Sequence, residues 1–121
     1  MTSQPSILTV DHNRRNLELL DQFLNQEGYQ TIAATSMEEF EQVMASGEEI
    51  GLALVDIAGF DKRIWDRCEQ LRERNIALLI ISPRQSAALQ QSSHDHGAQS
   101  VLIKPLVVKD LFRIIAELME K

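Results

Sequence analysis

Ile50-Gly51-Leu52-Ala53-Leu54-Val55-Asp56 is a short apolar run that stops on a carboxylate. A run of this length, rich in aliphatic and β-branched residues, reads as a strand buried in a parallel sheet. Asp56 then falls at the strand's C-terminal end, the edge where open α/β sheets place their ligand sites. Three other runs end on polar residues in the same way. Ile7-Leu8-Thr9-Val10 leads into Asp11-His12-Asn13, Ile76 to Ile81 into Ser82, and Val101-Leu102-Ile103 into Lys104-Pro105. If these strands are parallel, Asp11, Asp56, Ser82 and Lys104 converge at one edge of one sheet.

Between the strands the pattern turns helical. Asn13 is a good N-cap for a helix whose apolar face is Leu17, Leu20, Phe23 and Leu24, running to Gly28. Tyr29 to Ala34 is a weaker strand. Ser36 and Glu39 have capping-box spacing at the start of a short helix with Phe40 and Val43 inside, stopped by Gly47. Asp61 to Arg74 places Ile64, Cys68 and Leu71 on one stripe with Trp65 beside it, and Asn75 ends it. Pro83 can open the next helix, about 84–95, since its missing N–H would be unsatisfied there anyway. That helix has only Ala87, Ala88 and Leu89 as anchors, and Gly97 ends it. A strand over 99–103 follows, then a helix carried by Leu111, Ile114, Ile115 and Leu118.

Strand then helix, five times over, predicts an α/β fold: a doubly wound five-stranded parallel sheet flanked by helices on both faces, of flavodoxin-like (βα)5 form. The 121 residues make one domain with a polar tail over about residues 1–5, large enough to bury a core. Composition is ordinary for a soluble globular protein, 44% hydrophobic and 25% charged. A net charge of −6 argues against nucleic-acid binding by a basic surface. Cys68 is the single cysteine, which fits a reducing compartment. No signal peptide or membrane-spanning run is evident, so a cytoplasmic location without membrane contact is expected.

The polar residues at the sheet edge form a coherent set. Asp11 and Asp56 could share a hard divalent cation. Lys104 supplies a positive charge and Ser82 a hydroxyl, both suited to holding a phosphoryl group, and nearby helix N-termini favour anions. An Asp after a strand is also an ordinary turn residue, a Ser before Pro an ordinary cap, and a lysine ordinarily a solvated one. The company of Asp11, Asp56 and Lys104 favours a site.

Over essentially its whole length the chain resembles the receiver domain of two-component response regulators (CheY-like). The resemblance rests on Ile7 to Asn13, Leu54-Val55-Asp56, Ile80-Ile81-Ser82, and Gly97-Ala98 leading to Lys104-Pro105. Each motif is weak alone; their order and spacing carry the assignment. The resemblance implies a signalling module and not an enzyme. Asp56 is implied as phosphoacceptor, with Mg2+ beside it and Ser82 and Lys104 responding to the phosphoryl group. A histidine kinase or phosphotransfer protein is the implied donor. A downstream protein or fused output domain is the implied receiver of the signal, and homodimerisation through the last helices is open to it.

Four positions depart from the family's pattern. His12 stands where a second acid normally ligates the metal, and neutral imidazole suits transition metals better than Mg2+; it is read as a third metal ligand beside Asp11 and Asp56, a pH-sensitive group or a solvated neighbour of Asp11. Pro83 stands where a backbone N–H normally binds the phosphoryl group, and it has none to give. Val101 replaces the aromatic residue that moves inward on activation. The loop after the acceptor reads Ile57-Ala-Gly-Phe-Asp-Lys-Arg-Ile-Trp65 in place of a Pro and an Asp-Gly. An atypical receiver with a weakened site is one expectation; a phosphorylation-independent pseudo-receiver, acting as a protein-binding module, is the other. A flavodoxin-like electron carrier would want a Ser/Thr/Gly-rich phosphate loop after the first strand, which Asp11 to Arg15 is not. His94 and His96 are expected at the surface, and Cys68 in the core.

Overall fold

The computed structural model describes residues 5–83 and 87–119. Five strands and five helices alternate: β1 (Ser6–Val10), α1 (Arg14–Gln26), β2 (Thr31–Ala34), α2 (Met37–Ala45), β3 (Ile50–Asp56), α3 (Arg63–Glu73), β4 (Ala77–Ser82), α4 (Ala87–Asp95), β5 (Ser100–Ile103) and α5 (Val108–Met119). The strands form one sheet in the order β2-β1-β3-β4-β5, and every pairing is parallel. The doubly wound arrangement expected from the sequence is the one observed.

Alternation along the strands sends side chains to two cores, because successive Cβ atoms point to opposite faces. From β3, Ala53 and Val55 join Phe40 and Met44 of α2 and Ile64, Cys68 and Leu71 of α3 on one face. Leu52 and Leu54 join Leu24 of α1 and Leu111 and Ile115 of α5 on the other. Strand β3 lies in the middle, so all but Gly51 of its residues are buried. Gly51 marks an irregularity in the β1–β3 register, between Ser6↔Ile50 and Ile7↔Leu52. A Cβ there would stand 2.9 Å from Pro5 Cβ and 3.1 Å from Met119 Sδ. The strand therefore needs a residue without a side chain where Pro5 and Met119 lie against it.

Helix ends largely follow the sequence signals. The Asn13 side chain accepts from Asn16 N–H at 3.0 Å, and Ser36 Oγ from Glu39 N–H at 3.1 Å. The reciprocal half of the capping box is displaced by one residue: Glu39 Oε1 accepts from Thr35, not Ser36, through its N–H at 2.6 Å and its hydroxyl at 2.7 Å. Asn75 ends α3 in the left-handed region at φ 62°. Helix α3 begins at Arg63, two residues later than expected, because Asp61 works as a turn residue, accepting from Arg63 N–H at 2.9 Å. Strand β2 is shorter than expected and begins at Thr31.

Helix α4 departs most from the sequence reading. Ala88 is exposed, Leu89 is half-buried, and the fully buried residue is Ser93. A small residue lets the helix approach the sheet there. The expected start of this helix at residue 84, and the side chain of the anchor Ala87, lie outside the described residues. His96 also differs from the expected surface histidine. It is half-buried, with its ring 5.0 Å from that of Trp65 and Nδ1 2.6 Å from Ser92 O. Among the described residues no helix is long and apolar enough to cross a membrane.

Candidate phosphoacceptor site

A parallel sheet ends all its strands at the same edge, and that topology gathers the polar residues. Val10 pairs with Val55, Asp56 with Ile81, and Ser82 with Ile103. Asp56 thus closes β3, Asp11 follows β1, Ser82 closes β4 and Lys104 follows β5.

Asp56 is 1% exposed, and its two carboxylate oxygens have different partners. Oδ1 accepts from Ala58 N–H at 3.0 Å, which ties the acid to the turn that follows it. Oδ2 forms an ion pair with the Lys104 ammonium. Lys104 is anchored through its own backbone, donating its N–H to Ser82 O at 2.9 Å, and the Lys104–Pro105 peptide is cis. Ser82 is buried at the end of β4.

Asp11 is 8% exposed, and its Oδ1 accepts from Asn13 N–H at 2.8 Å. Burial raises its pKa above the ordinary carboxylate value. The charge of Asp56 pushes in the same direction, while the Asn13 N–H and the Lys104 ammonium oppose it. Two carboxylates and one ammonium leave the cluster with one excess negative charge.

Two carboxylates are what Mg2+ usually asks of a protein, water and phosphate oxygens completing the shell. Asp11 and Asp56 fit that role. Among the described residues, no group of three or more His, Cys, Asp and Glu side chains could hold a metal. The His12 ring makes its contacts elsewhere, with Gly59 and Phe60 of the loop after β3.

The cluster opens into a cleft of about 580 Å³ between α1 and α5, with Leu19, Leu20 and Phe23 on one wall and Leu106, Val108 and Phe112 on the other. Leu19, Phe23 and Val108 are 44%, 47% and 40% exposed, which is high for large apolar side chains on a small domain. The sequence reading placed Phe23 on the inner face of α1 and gave Leu19 no role. The signal available was the breadth of the apolar arc on α1, since Leu17, Leu19, Leu20, Phe23 and Leu24 exceed what one packing face needs. A larger and more open depression of about 710 Å³ follows the edge strand β2; it contains none of Asp11, Asp56, Ser82 or Lys104.

A five-stranded parallel α/β domain with an acidic pocket at its C-terminal edge, its Asp56 carboxylate paired with Lys104, defines the structural class. Residues 7–116 match the response regulator receiver domain model, and the chain belongs to that family. It is 29% identical over 116 residues to the transcriptional regulatory protein AruR of Pseudomonas aeruginosa, covering 92% of this chain and 48% of the relative. The heme response regulator HssR of Staphylococcus saprophyticus is 26% identical over 113 residues, covering 92% and 50%. The chain thus spans about half the length of these curated relatives. A receiver domain protein from Methanospirillum hungatei superposes with a TM-score of 0.85 at 27% identity, covering 98% of this chain and 95% of the other.

Proposed function

We propose that Asp56 accepts a phosphoryl group from a phosphohistidine of a histidine kinase or phosphotransfer protein. The observation that carries the reading is the buried Asp56 carboxylate, ion-paired to Lys104 with Asp11 beside it. In the transfer, a carboxylate oxygen of Asp56 bonds to phosphorus, the P–N bond breaks, and the electron pair leaves with the imidazole. Phosphoryl transfer of this kind depends on positioning and on stabilising equatorial charge. Lys104 supplies a cation that can pass from the carboxylate to the phosphoryl oxygens, and Ser82 a hydroxyl at the neighbouring strand end. Asp11 and Asp56 would hold Mg2+, which supplies further neutralisation of the phosphoryl charge. The cleft between α1 and α5 offers the donor an apolar surface continuous with Asp56.

Two further residues, Pro83 and Val101, support a weakened site. Pro83 directly follows Ser82 and has no N–H for the phosphoryl group. Val101, half-buried against the core, leaves β5 without the large ring whose movement would report phosphorylation to α4 and α5. A downstream or fused output partner is supported by the names of the relatives, a transcriptional regulatory protein and a heme response regulator.

The test is an NMR titration with Mg2+ and beryllofluoride. Saturable shifts at Asp56, Ser82 and Lys104, lost in Asp56→Asn, are expected. An unchanged spectrum with the fold intact would overturn the reading and leave a phosphorylation-independent interaction module.

A further inference from the structure

The loops that carry the two carboxylates are tied together by one aromatic contact. The His12 ring meets the Phe60 ring edge to face, with centroids 5.9 Å apart and planes at 76°. Gly59 lies against the same imidazole at φ +85°, so close that a Cβ there would stand 3.1–3.2 Å from His12 Cδ2, Cβ and Cγ. Phe60 is itself anchored, half-buried against the core formed by α2, α3 and the sheet. Its N–H donates to Ile57 O at 3.3 Å, closing the turn.

Each end of this contact leads directly to a carboxylate. Asp11 precedes His12, and its Oδ1 is fastened to the N–H of Asn13. Asp56 begins the turn that Phe60 ends, and its Oδ1 is fastened to the N–H of Ala58. Asp11 and Asp56 repel one another, and Lys104 neutralises one charge of the two. The Val10–Val55 pairing fixes the two strand ends one residue back, and beyond it the His12–Phe60 contact links the two loops. Edge-to-face ring contact suits the task, and neutral imidazole is a poor ligand for Mg2+.

We infer that His12 and Phe60 form a clasp that sets the position of Asp11 relative to Asp56, and that His12 serves the site in this way and not as a metal ligand. His12 is then a positioning residue. The inference rests on reading Asp11 and Asp56 as one cation and phosphoryl site, but the clasp itself is measurable without phosphoryl transfer.

The test compares the wild-type chain with His12→Ala, His12→Phe and Phe60→Ala. Two quantities are read by NMR: amide exchange at Ala58, Gly59 and Phe60, and Mg2+ affinity. His12→Ala and Phe60→Ala are each expected to speed exchange and weaken Mg2+ binding by about two- to tenfold, the range of one aromatic pair. His12→Phe keeps a ring but no ring nitrogen, and is expected to stay near wild type in both. The double variant His12→Ala/Phe60→Ala is expected to be no worse than either single one.

Loss of Mg2+ affinity in His12→Phe, with Phe60→Ala unchanged, would identify the imidazole as a ligand and overturn the clasp. Wild-type exchange in both alanine variants would overturn it equally. A wild-type chain that binds no Mg2+ would instead defeat the reading of the site, and the exchange rates alone would then decide the clasp.

Discussion

Lys104 reaches across β4 to Asp56. It leaves the chain after β5, and its ammonium pairs with a carboxylate at the end of β3, two strands away. The carboxylate is almost fully shielded from solvent, and burying a charge is costly unless it is paired. The pair thus offsets the cost of burying the Asp56 carboxylate at this edge of the sheet.

Lys104→Met removes the cation and leaves Asp56 and Asp11 unneutralised. A loss of about 2–4 kcal/mol is expected, somewhat below the usual figure for a broken buried pair because Lys104 is partly exposed. Adding Asp56→Asn should recover most of it, since both charges are then gone. Urea unfolding with an unchanged m-value measures both steps. A stable Lys104→Met protein would mean the pair does not hold the resting site together.

Asp11 stands in the site at the expense of stability. Its raised pKa means that the folded chain holds the proton more tightly than the unfolded chain. Between the ordinary carboxylate value and the raised one, the folded state binds more protons, so stability falls as pH rises through that window. Above it the penalty is fully present. Asp11→Asn keeps an acceptor for Asn13 N–H and removes the charge. A gain of about 1 kcal/mol at neutral pH is expected, shrinking as the medium is acidified below the window, together with weaker Mg2+ binding. Thermal unfolding across pH reads the first effect and metal titration the second. Equal stability of the two proteins at neutral pH would contradict the assignment.

The sheet was legible in the sequence because it is written locally. Each strand from β1 to β4 is a run of adjacent or alternating apolar residues, and the C-terminal edge is marked by where those runs stop. Asp11, Asp56, Ser82 and Lys104 could be placed together from parallel topology alone. Asn13, Ser36 and Asn75 announced their helix ends because capping is a contact over a few residues. Contacts between distant elements left no such pattern. Nothing near His12 in the sequence pointed to Phe60, and nothing near His96 pointed to Trp65. The α1–α5 cleft belongs to two helices at opposite ends of the chain. Helix α4, with Ser93 buried and Ala88 exposed, has no apolar stripe from which its packing face could be read.

Pro83 sits in a bend directly after the buried Ser82 and is itself exposed. Its ring has no N–H to offer a phosphoryl group, and one well-placed donor to such a group is worth a sizeable factor in stabilisation. Pro83→Ala is expected to lengthen phosphoryl retention on Asp56 or tighten beryllofluoride binding by about tenfold. Acid-stable counting of labelled protein after a small-molecule phosphodonor follows the first, and an NMR titration the second. No change would show that the phosphoryl group does not reach that side of the pocket.

Cys68 offers a check on the core beneath the site. It is fully buried on α3, among Phe40, Ile64 and Leu71. Burial, helped by the neighbouring charge of Glu69, pushes its thiol up to about 12. At neutral or mildly alkaline pH the native chain therefore carries almost no thiolate, and the thiolate is the reactive form. Iodoacetamide should leave the folded protein unmodified and alkylate it fully in urea. In native buffer the slow residual rate should track the population of the open state and rise with the denaturant slope of global unfolding. Fast labelling without denaturant would show that α3 detaches from the sheet on its own. The wall behind Ile57 to Phe60 would then be mobile.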